Sequence, residues 1–360
     1  MLIGVPKEIK NNEYRVGITP AGVLELVSAG HQVYIETKAG LAIGLTDLLY
    51  QQAGADIIDT AEQIYAEAEL IVKVKEPQQS EYHLLRPGQI LFTFLHLAAD
   101  KKLTDALIDS GASCIAYETV TDKNGALPLL TPMSEVAGRM SIQVASHAMK
   151  NSQGGPGILL GGVPGVAPAN VVVLGGGVVG ENAARMAIGL GANTTVIDKS
   201  LPKLRQLDAH FGPALKTLYA TKDAIDRAIS RADLIIGAVL VPGAKAPKLI
   251  TRDMLGNLKQ GAILIDVAID QGGCFETSRS TTHQNPTYVE EGIIHYCVAN
   301  IPGAVARTST FALTNATLPY IMQLAENGFE QAFANDSGFK QGLNIHQGKV
   351  THPAVLEALG

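Results

Sequence analysis

Four ionisable side chains stand just beyond short apolar runs: Arg15 in KEIKNNEYR after LIGVP, Lys75 after LIVKV, His96 after ILFTFL, and Asp270 in VAIDQGG after AILIDVA. Ligands of open α/β sheets bind outside the carboxyl ends of the strands, and this shared placement separates the four from the many other polar residues. As a set they suit a small amino or hydroxy acid. A guanidinium and an ammonium bind a carboxylate and polarise the adjacent carbonyl or imine. An imidazole takes up and returns protons near neutral pH, and an aspartate orients an ammonium group or an attacking water. With hydride transfer left to a nicotinamide, the chemistry is oxidation of that acid. Each residue also has a plainer reading. Lys73 and Lys75 fall on one face of an extended strand, where a solvated lysine is ordinary. His96 lies in the uncharged run FTFLHLAA, where a hydrogen-bonded core histidine is the default. Arg15 could simply pair with Glu8 or Glu13, and Asp270 could cap the turn before Gly272 and Gly273.

The nicotinamide is expected from VVVLGGGVVGENAARMAIGLGANTTVID, residues 171–198, which reads as strand, glycine turn, helix and second strand. Gly175, Gly177 and Gly180 fit G-x-G-x-x-G. The first allows the sharp turn, the second lets backbone approach a pyrophosphate, and the third lets helix pack close on strand. The helix begins at Val178 and Val179, where unpaired N–H groups and the positive dipole end favour phosphate. Asp198 closes the second strand, where a carboxylate accepts hydrogen bonds from an adenosine ribose. That carboxylate favours NAD over NADP, although Lys199, Lys203 and Arg205 beside it weigh the other way.

The elements that must position these groups alternate. Strands are expected at 2–6, 32–36, 70–74, 90–95 and 114–117, with helices at 20–29, 47–53, 61–68 and 101–110 between them. Thr19 caps the first helix, Pro20 starts it and Gly30 lies beyond its end. The apolar rhythm of Met133, Val136, Met140, Val144 and Met149 predicts a long connecting helix over 133–150. After the strand at 171–174, the helix at 178–190 and the strand at 194–198, further strands are expected at 215–219, 234–240, 262–268 and 294–298, with helices at 223–230, 252–258, 308–324 and 353–359. The pattern is α/β: two doubly wound, Rossmann-like parallel-sheet domains separated by a cleft. Residues 1–130 plus 305–360 form the substrate domain and 131–304 the NAD-binding domain.

Composition narrows the class. At 360 residues the chain exceeds one ordinary core, and 46% hydrophobic with 17% charged residues is globular. A net charge of −6 gives no electrostatic case for nucleic acid or an anionic membrane. The uncharged stretch 151–180 contains Pro156, Pro164 and Pro168, so it reads as a buried loop and strand rather than a membrane span. Three cysteines without metal spacing fit a reducing cytosol, and MLIGVPKEIK does not read as a signal peptide.

GVPKEIKNNEYRVGITPAGVLEL, VKVKEP, LFTFLHLAAD, LPLLTPMSEVAGRMS, GGVPGV, IGAVLVPGAKAPKL, DVAIDQGGCFETSR and YCVANIPGAVARTST together resemble the family of alanine dehydrogenases and transhydrogenase α-subunits, nearly end to end. The resemblance implies reversible NAD-dependent oxidative deamination of L-alanine to pyruvate and ammonium. It implies that Arg15 and Lys75 bind substrate, that His96 is the acid/base and that Asp270 assists protonation. It places the NAD site at Ser134, at the glycine turn with Val178 and Val179, and at Asp198, Lys203, Val239, Leu240, Val267, Ala268, Ile269, Asp270, Arg279, Val298, Ala299, Asn300 and Ile301. A cytoplasmic homohexamer with its C-terminal tail returning to the first domain is also implied. Gln323 and Asn327 stand at i, i+4 where some relatives carry a carboxylate and a histidine, so no metal site is carried over. The alternatives are a soluble transhydrogenase component, which needs no amino-acid substrate, and an NAD(H)-dependent sensor on the same fold.

Overall fold

The computed structural model describes residues 1–239 and 246–359. The chain divides into two compact units, Met1–Met133 with Val305–Gly360, and Ser134–Ala304. In the first unit β1 (Leu2–Val5), α1 (Pro20–Ser28), β2 (Gln32–Glu36), α2 (Asp47–Gln52), β3 (Asp56–Ile58), α3 (Ala61–Glu67), β4 (Leu70–Val72), β5 (Ile90–Thr93), α4 (Lys101–Ser110) and β6 (Ser113–Ala116) alternate along the chain. Then follows α5 (Thr131–Ala148), which from Ser134 onward belongs to the second unit.

The second unit continues with β7 (Asn170–Leu174), α6 (Val178–Gly189), β8 (Asn193–Asp198), α7 (Leu201–Phe211), β9 (Leu215–Tyr219), α8 (Lys222–Ile229), β10 (Leu234–Gly237), β11 (Ile263–Asp266), β12 (Thr287–Glu290) and β13 (Ile293–Tyr296). The chain then completes the first unit with α9 (Ala306–Asn335), α10 (Ser337–Lys340), β14 (Leu343–His346), β15 (Lys349–Val350) and α11 (Pro353–Leu359).

The first sheet runs β15-β14-β6-β5-β4-β1-β2-β3. Its strands from β6 to β3 are parallel, while β14 joins β6 and β15 joins β14 antiparallel. The second sheet runs β12-β13-β11-β10-β7-β8-β9, parallel except for β12. In each unit the chain starts in mid-sheet, winds outward to one edge, returns and winds to the other. The reversal falls between β1 and β4 in one sheet and between β7 and β10 in the other. Right-handed crossovers put helices on both faces of such a sheet, so β4, β5, β7, β10 and β11 are apolar along nearly their whole length and buried on both sides.

Local chemistry sets the helix ends. The Thr19 hydroxyl accepts the Gly22 N–H at 3.3 Å ahead of α1, and the Asp100 carboxylate accepts the Leu103 N–H at 3.0 Å ahead of α4. Gly111 ends α4 in the left-handed conformation (φ 68°).

The two doubly wound, largely parallel sheets are as expected. Several details are corrected. Strands β3, β12, β14 and β15 were not read from the sequence, and the last three add antiparallel pairs. Each is two to four residues long and lies at or near a sheet edge, with too few residues for a periodic signal. The runs 70–74, 90–95, 234–240 and 262–268 leave their ladders early, at Val72, Thr93, Gly237 and Asp266. Residues 151–169 are not a buried loop: Leu159, Val163 and Val166 are each more than half exposed around a Val163–Val166 bridge. The helix expected over 308–324 runs to Asn335 with a break at Gly328 (φ 73°). The amides of Gln323 and Asn327 stitch that break, donating to the carbonyls of Ala332 and Gln323.

Candidate functional site

The second unit gathers its sequence-predicted residues on one edge. Parallel strands end together, so the exits of β7 (Gly175), β8 (Asp198), β10 (Val239), β11 (Val267 to Asp270) and β13 (Val298 to Ile301) all lie along the carboxyl edge. Each glycine of the turn has a distinct surrounding. Gly175 has φ 101°, and a Cβ there would meet Val239 Cγ2 and the Ala238 carbonyl. A Cβ on Gly180 would overlap the Gly175 carbonyl oxygen, which is how closely α6 packs against β7. A Cβ on Gly177 would meet nothing within 4 Å. Gly177 is also the N-cap of α6 and carries no side-chain cap, so the helix presents its first N–H groups beside open space. That is the cradle a phosphate requires.

Asp198 locks this turn. Its Oδ2 accepts the Gly176 N–H at 2.6 Å and its Oδ1 the Ser200 N–H at 2.7 Å. Lys203 enters the same corner from the first turn of α7, its stem beside Gly176 and its ammonium 3.5 Å from Glu181 Oε2. Arg279 lies over the Tyr288 ring at 3.8 Å, and its backbone N–H donates to the hydroxyl of the same tyrosine at 2.9 Å. Asn300 adopts φ 60°, and its carbonyl accepts the Gly303 N–H while lying 3.2 Å from His283 Nε2. Ala268, Ile269, Val298 and Ile301 are buried, Val178 and Asp270 are exposed, and Val179 is buried under the helix. Ser134 and Ala299 are half-buried. Leu240 lies outside the described residues.

Asp270 does not cap the turn before the glycines. Main-chain bonds do so, from Gly272 to Ile269 and from Gly273 to Ala268. The carboxylate that holds this exit is Asp266, fully buried, which accepts from the Ala268 and Phe275 N–H groups and from the hydroxyl of Ser278. Sequence reasoning passed over Asp266 because it sits within a strand.

The first unit repeats the device. Arg15, in the loop after β1, is 2% exposed, and Glu13 meets it fork to fork: Nε to Oε1 at 2.7 Å and Nη2 to Oε2 at 2.5 Å. Its Nη1 lies 3.1 Å from Met133 Sδ. Lys75 is buried at the exit of β4, so the solvated-lysine reading does not hold. Glu8 Oε1 accepts the N–H groups of Val74 (2.6 Å) and Lys75 (3.2 Å), while Glu8 Oε2 lies 3.1 Å from the Lys73 ammonium. Lys73 is completely buried and also lies 3.0 Å from Glu81. Burial acts to lower its pKa, but Glu8 and Glu81 outweigh this and raise it, so Lys73 is held charged. Burial pushes the Tyr117 hydroxyl up, and it donates to the Lys73 carbonyl at 3.0 Å.

His96, at the exit of β5, is not a core histidine. Its side chain is 47% exposed, its backbone is left-handed (φ 54°, ψ 38°), and its ring stacks on Phe94 with centroids 5.9 Å apart. Arg15, Lys75 and His96 thus stand on loops leaving the carboxyl ends of β1, β4 and β5, three adjacent strands. Of the two carboxylates the sequence offered to Arg15, Glu13 is its partner, while Glu8 serves Lys73 and the peptides of Val74 and Lys75. Glu118, far from His96 in sequence, went unread.

Two doubly wound α/β units, one with a glycine turn built for a dinucleotide, define the class of Rossmann-type oxidoreductases. Residues 4–137 match the alanine dehydrogenase/PNT N-terminal domain and residues 141–353 the alanine dehydrogenase/PNT C-terminal domain. The alanine dehydrogenase of Halomonas elongata is 60% identical over 360 residues, covering 100% of this chain and 97% of that protein. The solved structure of an L-alanine dehydrogenase, 49% identical, superposes with a TM-score of 0.96 over 100% of this chain and 99% of the other. A transhydrogenase from Sinorhizobium meliloti, 24% identical with a TM-score of 0.85 over 98% and 100% of the two chains, shares the fold. The chain belongs to the alanine dehydrogenase/PNT family.

Proposed function

We propose that this protein catalyses the reversible oxidative deamination of L-alanine: L-alanine, NAD and water give pyruvate, ammonium, NADH and a proton. The observation that supports it most is the first unit's carboxyl edge, where Arg15, Lys75 and His96 stand at neighbouring strand exits, the Arg15 guanidinium held by Glu13 and the peptides of Lys75 and His96 by Glu8 and Glu118. Arg15 and Lys75 bind the substrate carboxylate and polarise the carbon bearing nitrogen. His96 takes the proton released as water adds to iminopyruvate and returns it to the departing ammonia. Asp270 assists protonation at the reacting centre. NAD, when bound, accepts the hydride.

The cradle at Gly177 and the uncapped start of α6, with Val178 and Val179, would hold the pyrophosphate, and Gly175 and Gly180 would shape it. Asp198 would hold the adenosine ribose, with Lys203 and Arg279 beside the nucleotide. Ser134, Val239, Leu240, residues 267–270 and residues 298–301 would complete the NAD site. A cytoplasmic homohexamer fits the exposed apolar Leu159, Val163 and Val166, which a partner copy would cover. Among the described residues no helix is long and apolar enough to cross a membrane.

The test is NADH formation at mildly alkaline pH with L-alanine against glycine and L-lactate, and with NAD against NADP. L-alanine with NAD is expected to give the highest kcat/KM. His96→Ala is expected to lose turnover while binding NADH as before. Absence of NADH formation from L-alanine would overturn the reading.

A further inference from the structure

We infer that Glu118 is a positioning residue for His96, clamping the peptide that carries the imidazole. The inference rests on the reading of His96 as the acid/base. Strands β5 and β6 are parallel and end in register, Thr93 opposite Ala116. Two residues further along each chain, the exits still lie side by side, and Glu118 reaches back across. Both its oxygens accept the Leu95 N–H, at 3.2 and 3.3 Å, and its Oε1 accepts the His96 N–H at 2.5 Å. The same Oε1 lies 3.9 Å from His96 Nδ1.

Two features need this clamp. A left-handed backbone is costly for a residue with a Cβ, and His96 holds one at an exposed site where the ladder has already ended. The ring is held on one side by its stack on Phe94 and on another by the carboxylate. Both carboxylate oxygens take part in holding the two N–H groups, where an amide in the same place would offer one accepting oxygen.

Other charged groups at this corner leave Glu118 to His96. Asp100 is committed to the N-terminus of α4. His352, ahead of α11, lies in the field of Glu118, but its burial lowers its pKa and holds it neutral near pH 7.

The experiment measures kcat and KM separately for L-alanine oxidation in wild type, Glu118→Gln and Glu118→Asp, with NADH affinity alongside. In Glu118→Gln kcat is expected to fall about tenfold through misplacement of the imidazole. KM for L-alanine and NADH affinity are expected to stay close to wild type. Glu118→Asp, which keeps both accepting oxygens on a shorter arm, is expected to lose less in kcat. An unchanged kcat in a folded Glu118→Gln protein overturns the inference. If that variant does not fold, an unchanged kcat in Glu118→Asp does the same. Retained turnover in His96→Ala would remove the reading of His96 itself, whatever Glu118 does.

Discussion

The Asp198 carboxylate accepts the peptide N–H of Gly176 at 2.6 Å, so the residue that closes β8 also fastens the glycine turn after β7. One carboxylate therefore serves the shape of the cradle and, under the proposed function, the recognition of its nucleotide. Asp198→Ala is expected to weaken NADH binding at least tenfold and to narrow the preference for NAD over NADP. Removing the negative charge leaves Lys199, Lys203 and Arg205 to meet a 2′-phosphate. Fluorescence titration with NADH and NADPH reads both effects, and an unchanged ratio of affinities would count against the ribose role.

Gly177 and Gly180 are predicted to fail in opposite ways. An added Cβ at Gly177 enters open space in a backbone any residue adopts (φ −66°), whereas at Gly180 it overlaps the Gly175 carbonyl. Gly177→Ala should melt within a few degrees of wild type yet lose at least tenfold in NADH affinity. Gly180→Ala should lose about 1–3 kcal/mol or more of stability from overpacking. Thermal melts and NADH titration of both variants separate the two, and equal melting points would contradict the packing.

Lys73, buried between Glu8 and Glu81, is predicted to matter for the fold. Lys73→Ala leaves two buried carboxylates without their cation, at a cost of about 3–5 kcal/mol in urea unfolding. Adding Glu8→Gln should recover part of that loss, because the uncompensated charge goes with it. A strictly additive double variant would show that the two groups are not coupled.

The three cysteines are buried, and burial pushes the Cys114 thiol up to about 12. Native protein is expected to resist alkylation at pH 8 and to label at all three thiols once unfolded in urea. The sign of the linkage follows. A thiol whose folded pKa is raised contributes stability below its ordinary pKa of 9.0, and that contribution is lost as pH rises towards about 12. Cys114→Ala should therefore flatten part of the fall in melting temperature across that window. Rapid labelling of native protein at pH 8 would show the thiols to be accessible.

Much of the fold was legible. Apolar runs and helix caps marked β2, β9, α4 and α11 to the residue, and β7 with its glycine turn gave the second unit's centre. What escaped was short or edge-bound: β3, β12, β14 and β15 have two to four residues each and are strands only because a neighbour pairs with them. The expected strands also ran on past Val72 and Thr93, since apolar pattern does not reveal where a ladder ends. Lys73 and Phe94 still donate to main-chain carbonyls across the pair, but Val74 and Leu95 bond to Glu8 and Glu118 instead.

The sequence by itself determined the α/β class, the glycine cradle and the identity of Arg15, Lys75 and His96 as groups at strand exits. These follow from patterns within a few residues, which the backbone's own periodicity and caps enforce. Tertiary structure alone decided that Lys75 is buried, that His96 is exposed in a left-handed turn, and that Glu8, Glu118 and Asp266 hold the exits. Glu118 lies 22 residues from His96 in sequence, and only the pairing of β5 with β6 brings that carboxylate to the imidazole.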